Sequence, residues 1–230
     1  AVIVELKQWS EATATNLDGV VKTYVGGAVR EVSHPSYQAW SYAALLQGFN
    51  AAVEDQQIKL QACAFLHNCA DPSPLTSPFY AEYLQKAPLF AKSDVLRLSE
   101  FIKQHVKYGD ARNVMYQIEH GEIRPSKGLA DAIAKMIEGN DEFVMIDEQK
   151  VVYEQIWNLV EHSSPSSKNV VIVRGGPGTG KSVVAIQLTA RLTAKQKMVQ
   201  YVSKNSAPRD VYASKLSGIR TKSWVNNLFK

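Results

Sequence analysis

The stretch that decides the fold of this chain is residues 170–182, which read VVIVRGGPGTGKS. Its first half is a run of β-branched apolar residues typical of a buried strand, and its second half contains the pattern G-x-x-x-x-G-K-S. A helical pattern follows over 181–192, and a second strand pattern covers 198–203. This order predicts a βαβ unit, and such a unit implies a parallel sheet.

The glycine-rich loop predicts a phosphate-binding site. Glycines let the main chain wrap around a phosphate with its N–H groups inward, and the start of the helix directs its positive end at the same charge. We expect Lys181 to reach the β- and γ-phosphates of ATP, and the Ser182 hydroxyl to bind Mg²⁺. The residues expected to line the site are Gly175, Gly176, Pro177, Gly178, Thr179, Gly180, Lys181 and Ser182.

A second nucleotide contact is predicted upstream, in residues 146–150, which read IDEQK. Gln149 lies at the start of a helix predicted over 148–162. A glutamine amide both donates and accepts, so it can pair with the edge of adenine. On these residues alone, an exposed glutamine in a first helical turn is the simpler interpretation.

The N-terminal strand carries a carboxylate and an amine on one face. Residues 2–7 alternate with period two, so Glu5 and Lys7 point the same way. That pair suits a metal-assisted phosphodiester hydrolase, with Glu5 on the cation and Lys7 near the attacking water. An exposed, ion-paired strand face is the ordinary alternative.

A helix predicted over 36–49 adds two more polar groups. It follows a hairpin predicted at 20–25 and 28–32, joined by Gly26-Gly27. Gln38 and Tyr42 are four residues apart and therefore neighbours on one face of this helix. Together with Glu5 and Lys7 they make the nuclease-like interpretation more specific.

The rest of the chain supplies the predicted domain boundaries. A strand pattern spans 58–66, and the proline-rich stretch 71–78 marks a loop. Two helices are expected within 80–108, the second capped by Ser93, and another helix over 127–138. We expect a nuclease-like region, a helical connector and the first part of a P-loop ATPase domain, at residues 1–70, 71–140 and 141–230.

Composition and charge narrow the classes of function. The chain has 230 residues, 45% hydrophobic and 21% charged, which is typical of a globular protein. No stretch approaches the roughly 18 apolar residues of a membrane span. The first residues, AVIVELKQW, lack the basic n-region and the cleavage site of a signal peptide, so we expect a cytoplasmic protein without a membrane partner. Cys63 and Cys69 are then expected to be reduced, buried thiols. After Ser182 the sequence has nine Lys or Arg and one acid, Asp210, which gives this end a charge of +8. Such a charge suits a polyanionic partner, and a solvated basic surface is an equally good interpretation of it.

Two resemblances follow from these motifs. The strand with E-x-K, the hairpin and the helix with Q-x-x-x-Y resemble the PD-(D/E)xK nuclease fold, particularly its RecB-like branch. The strings VIVELKQW, HPSYQAWSY, AFLHN, RPSKGLAD, EFVMIDEQK, VRGGPGTGKSVVA and YVSKNSAPRDVY, spread over the whole chain, resemble the Schlafen group 3-like DNA/RNA helicase domain family. That resemblance implies an α/β protein with a nuclease-like region and a helicase motor.

The resemblance also implies residue roles and a function. Gln149 becomes the glutamine of the Q motif, and residues 201–209 become a nucleic-acid contact in which Lys204 and Arg209 neutralise phosphates. The family's first nuclease aspartate and its Walker B acids have no counterpart here, so we expect a fragment that binds ATP without sustained turnover. The expected parent is a nucleic-acid-dependent ATPase. The alternative is a P-loop switch or AAA-type machine acting on proteins, with a non-catalytic N-terminal platform.

Overall fold

The computed structural model describes residues 1–123, 144–164, 166–195 and 197–203. The chain divides into two compact units. The first unit contains residues 1–124 and 145–162, and the second contains residues 125–144 and 163–230.

The first unit contains six strands and six helices among its described residues. The strands are β1 (Val2–Lys7), β2 (Thr13–Ala14), β3 (Val20–Val25), β4 (Ala28–Ser33), β5 (Gln61–Leu66) and β6 (Leu89–Ala91). The helices are α1 (Pro35–Phe49), α2 (Ala51–Asp55), α3 (Ala81–Lys86), α4 (Val95–His105), α5 (Val114–Glu119) and α6 (Glu148–Glu161). In the second unit, the described part forms α7 (Lys181–Ala194).

The strands form two sheets. One is parallel, in the order β1-β5-β6, and β1 pairs with β5 in a register that places Glu5 opposite Ala64. The other is antiparallel, in the order β2-β3-β4, with a turn at Gly26 and Gly27, which both have positive φ. The predicted α/β class is therefore confirmed, and the parallel sheet is formed by strands of the first unit.

The parallel sheet is covered on both faces. On one face, buried Ala39 and Ala43 of α1 pack in a cluster that also includes Ala62 and receives Ile3. On the other face, Cys63 and Phe90 pack with Leu98 of α4 and receive Val2 and Val4. Because strand side chains alternate, Glu5 and Lys7 share the α1 face with Ile3. The packing of the core thus decides which helix the E-x-K pair meets.

Several sequence predictions need correction. No strand forms over 170–174 or 198–203, where Val170, Ile172 and Val202 are exposed. A parallel strand is stable only when ladder partners and cover on both faces are supplied, and an apolar run alone does not supply them. The region 80–108 contains β6 between its two helices, because the short run Leu89–Ala91 is buried and pairs with β5. The predicted helix over 127–138 and the segment from 204 onward lie outside the described residues.

The predicted cap of α4 is also wrong. Asp94, and not Ser93, occupies the N-cap position. Its carboxylate accepts the N–H of Ala91 at 2.9 Å and pairs with Arg97 at 2.9 Å. The aspartate side chain is longer than that of serine and has two acceptor oxygens. It can therefore bind the end of β6 at Ala91 and Arg97 of the helix at the same time.

A buried histidine anchors the start of α1. His34 is fully buried at the N-cap, where Nδ1 accepts the N–H of Ser36 at 3.1 Å and Nε2 donates to the carbonyl of Leu75 at 2.9 Å. Its ring lies 4.5 Å from that of Tyr80, centroid to centroid. This pattern requires a neutral ring with the proton on Nε2. Burial lowers the pKa of His34 from 6.5 to about 4, against the opposing effect of the Leu75 hydrogen bond.

The lowered pKa of His34 predicts acid sensitivity that begins above the pH range where carboxylates titrate. The unfolded chain binds a proton at this histidine below pH 6.5 and the folded chain only below about 4, so stability is lost as pH falls through that window. The full loss is about 3 kcal/mol in the free energy of unfolding. Urea unfolding at pH 7 and pH 4.5 measures it. In His34→Asn, which keeps an N-cap acceptor, this part of the pH dependence is expected to disappear; an unchanged difference between the two pH values would refute the assignment.

Candidate functional site

The glycine-rich loop of the second unit leads directly into α7. Gly178 and Gly180 have φ of +75° and +81°, the left-handed region that glycine tolerates best. Gly180 is the N-cap of α7, so the helix begins at Lys181. A Cβ on Gly175 would lie 2.7 Å from the Thr179 Oγ1, so any larger residue would displace the Thr179 side chain. The loop therefore needs glycine at several of its positions.

The Lys181 side chain lies back across this loop. Its Nζ donates to the carbonyls of Gly175 at 2.8 Å and Gly176 at 2.6 Å, and the Thr179 hydroxyl donates to the Gly176 carbonyl at 2.9 Å. Ser182 is exposed in the first turn. The arrangement places one ammonium group and one hydroxyl at the positive end of a helix, where anions are stabilised.

Buried residues fix α7 behind the loop. Val184, Ile186 and Leu188 are buried, and Ile186 is only 1% exposed. The Thr189 hydroxyl donates to the Ala185 carbonyl at 2.8 Å, which satisfies that buried group within the helix. The start of the helix is exposed while its body is buried, so the loop is presented to solvent on a fixed support.

The predicted adenine contact lies in the first unit. Gln149 is in the first turn of α6, and its Oε1 accepts the N–H of Ile146 at 3.4 Å. The main-chain N–H of Gln149 donates to the Ile146 carbonyl at 2.9 Å. The side-chain oxygen of Gln149 therefore faces the main chain of the same helical turn. The predicted nucleic-acid contacts Lys204 and Arg209 lie outside the described residues.

Glu5 and Lys7 form a close ion pair in the first unit. Lys7 Nζ lies 2.9 Å from Glu5 Oε1, and the two side chains are only 16% and 17% exposed. Lys7 Nζ also lies 5.1 Å from the centre of the Trp9 ring. The two groups share one face of β1, as their spacing predicted.

Gln38 and Tyr42 meet a third residue that sequence analysis missed. Gln38 Nε2 donates to the Tyr42 hydroxyl at 2.8 Å and to Asp147 Oδ1 at 2.6 Å. The Tyr42 hydroxyl lies 2.9 Å from each Asp147 carboxylate oxygen. Burial is the main cause that raises the pKa of Tyr42 to about 12; Asp147 and the charge of Glu5 act in the same direction, and the Gln38 hydrogen bond opposes them.

The Tyr42 hydroxyl is bonded to a residue that is distant in sequence. Asp147 binds it directly, and Glu5 is close enough for its charge to act on it. Hydrogen bonds hold Gln38, Tyr42 and Asp147 together, and an ion pair joins Glu5 and Lys7 on β1, the strand against which α1 packs. The only signal for Asp147 is an aspartate directly before a helix, a position that ordinarily indicates a cap.

The described residues offer no ready-made multidentate metal site. Within 1–123, 144–164, 166–195 and 197–203, no three His, Cys, Asp or Glu side chains are grouped so that they would hold a metal ion. Cys63 and Cys69 are buried free thiols, and burial raises the pKa of both. The expectation of reduced, buried cysteines agrees with this structure.

Comparison with known protein families gave a match in the C-terminal segment. Residues 168–230 match the family described as Schlafen group 3, DNA/RNA helicase domain. The match includes the glycine-rich loop and α7, and it confirms the predicted resemblance to this family over those residues. Neither the curated proteins nor the solved structures gave a match. None of the helices that the structure describes is long and apolar enough to cross a membrane.

Proposed function

We propose that this chain is the ATP-binding part of a nucleic-acid-dependent ATPase of the helicase type, with a nuclease-like N-terminal region. The observation that carries the proposal is the loop before α7, with its left-handed glycines and the ammonium of Lys181, inside a segment that matches a DNA/RNA helicase domain family. The glycines and the ammonium of the loop suit a triphosphate. The family that the segment matches is named for a DNA/RNA helicase domain.

The residues of the loop fit Mg-ATP. Main-chain N–H groups at the start of α7 would bind phosphate oxygens, and the Lys181 ammonium, now on the carbonyls of Gly175 and Gly176, would move to the β- and γ-phosphates. The Ser182 hydroxyl would hold Mg²⁺, which supplies charge neutralisation to the phosphates when it is bound. Gln149 is the proposed adenine contact.

Nucleic acid is the proposed partner of the motor. The last 48 residues carry a net charge of +8, which favours a polyanion. Lys204 and Arg209 lie in this part of the sequence and remain the proposed phosphate contacts. The positive charge of this segment and the helicase family that it matches both favour a nucleic acid as the ligand.

The polar cluster in the first unit supports the nuclease-like part of the proposal. Glu5 would bind a divalent cation, and Lys7 would lie near the attacking water. The packing of α1 against β1 supports Gln38 and Tyr42 as further members of this site. The parallel β1–β5 pair with α1 between them in sequence agrees with a PD-(D/E)xK-like core.

The test is ATP hydrolysis by the intact protein with and without single-stranded DNA or RNA. A motor of this class is expected to hydrolyse ATP several-fold faster when either strand is added, and the increase is expected to weaken as salt rises, because phosphate contacts release counterions. Hydrolysis that ignores nucleic acid, together with nucleotide-dependent oligomerisation, would overturn the proposal and favour a P-loop switch acting on proteins.

A further inference from the structure

Asp147 stands at a helix start without capping it. It is the N-cap residue of α6, yet its side chain makes no cap hydrogen bond, and its backbone has φ of +43°, which L-residues rarely adopt. An N-cap aspartate ordinarily accepts an N–H of its own first turn. Here the carboxylate is directed instead to Gln38 and Tyr42. The chain gives up a local cap and accepts an unfavourable backbone conformation for a long-range contact.

Side chains near the start of α1 hold the main chain around Asp147. The Ser33 hydroxyl donates to the Asp147 carbonyl at 2.9 Å, and the Tyr37 hydroxyl donates to the Met145 carbonyl at 2.6 Å. Tyr37 is buried, with only 4% of its surface exposed. These two hydrogen bonds hold the main chain at Met145 and at Asp147, and they thereby fix the position of the Asp147 carboxylate.

The donor and acceptor chemistry of the cluster allows one orientation of the Gln38 amide. An ionised carboxylate only accepts, so the NH₂ end of Gln38 must face Asp147. Its two N–H groups donate to Asp147 and to the Tyr42 oxygen, and the Tyr42 hydroxyl donates to Asp147. The carbonyl oxygen of Gln38 is then the part of that amide available to a substrate.

We infer that Asp147 is a positioning residue for the nuclease-like site, which sets the orientation of Gln38 and Tyr42 beside Glu5 and Lys7. The inference rests on the proposed nuclease-like function. Asp147 acts by holding the side chains of Gln38 and Tyr42 in place. An asparagine at this position keeps an acceptor oxygen of the same reach and is therefore expected to preserve most of this effect.

The first measurement is cleavage by the intact protein of a labelled single-stranded oligonucleotide in Mn²⁺, with DNA and RNA tested separately. Asp147→Ala is expected to lower kcat by roughly ten- to a hundredfold with little change in KM, because misplaced groups reduce the rate steeply. Asp147→Asn is expected to stay close to the wild type. Glu148→Gln removes an exposed acid from the same turn and is expected to have no effect. Titration with Mn²⁺ alone should show the same affinity for wild type and Asp147→Ala.

A second measurement separates this inference from the proposed activity. In protein labelled with ¹³C-tyrosine, the Tyr42 resonance is the one that Tyr42→Phe removes. Asp147→Ala is expected to shift and broaden that resonance, and Asp147→Asn to return it close to its wild-type position.

The outcomes are distinct. If the wild type cleaves no faster than Glu5→Gln, the proposed nuclease-like function is refuted. The shift of the Tyr42 resonance then still tests the role of Asp147. Equal loss of cleavage in the alanine and asparagine variants, with weaker Mn²⁺ binding, would make Asp147 a metal ligand and overturn the inference. An unshifted Tyr42 resonance in Asp147→Ala would overturn it as well.

Discussion

Titration of Lys181→Ala with Mg-ATP is expected to show a loss of affinity of roughly a hundredfold or more, which amounts to no measurable binding at ordinary protein concentrations. The ammonium of Lys181 makes charge-assisted hydrogen bonds to two phosphates in the proposed complex, and two such bonds are worth about 3 kcal/mol. In the structure the same group already lies on the loop, donating to the Gly175 and Gly176 carbonyls. Isothermal calorimetry measures the change directly.

Lys195→Ala is the matched control for this experiment. Lys195 is an exposed lysine at the opposite end of the same helix, so its removal lowers the charge equally without touching the loop. Its ATP affinity is expected to equal that of the wild type. Unchanged affinity in Lys181→Ala, or an equal loss in both variants, would show that the loop does not bind phosphate through this lysine.

Local patterns predicted most of the first unit because its elements carry local signals. The strand Val2–Lys7 and the hairpin strands have period-two alternation and a Gly-Gly turn, and both begin and end almost where the patterns indicated. The helix predicted over 36–49 is α1, Pro35–Phe49. These predictions succeeded because the pattern and the burial depend on residues that are close in sequence.

The errors came from elements that depend on distant partners. The strand β6 has three residues and no periodicity, and only its pairing with β5 defines it. In the opposite direction, residues 170–174 have a strong strand pattern and form no strand, because a pattern does not provide the neighbouring ladder. Short apolar runs are therefore decided by tertiary structure.

The candidate site divides in the same way. Glu5 with Lys7, and Gln38 with Tyr42, were predicted as pairs because each pair shares one element. Asp147 is 105 residues from Tyr42 and sits where an aspartate normally caps a helix. Its contact depends on how residues 145–147 lie along α1, which no spacing rule describes. The prediction of the phosphate loop required only a contiguous motif, and its role in binding stays a prediction until it is titrated.

Replacing Lys150 by methionine is expected to lower the free energy of unfolding by about 3–5 kcal/mol, since it removes one partner of a buried ion pair. Lys150 Nζ lies 2.9 Å from Glu154 Oε1 and 2.8 Å from Asp18 Oδ2. The side chains of Lys150 and Glu154 are only 7% and 4% exposed. Without the ammonium, the buried carboxylate of Glu154 loses the opposite charge beside it, and this loss costs stability. Urea unfolding of the single variant measures the loss.

Two further variants decide whether the loss comes from the buried charge. In Lys150→Met/Glu154→Leu both charges are replaced by apolar groups, and most of the lost stability is expected to return, because Asp18 is 46% exposed and keeps its hydrogen bond from Tyr83. Lys22→Met removes a lysine from the more exposed pair with Glu31, where the atoms are 3.3 Å apart, and is expected to cost less than about 1 kcal/mol. If the double variant is as unstable as Lys150→Met, lost packing explains the effect and the buried pair does not. If Lys150→Met costs no more than Lys22→Met, the buried charge contributes nothing to the stability of the first unit.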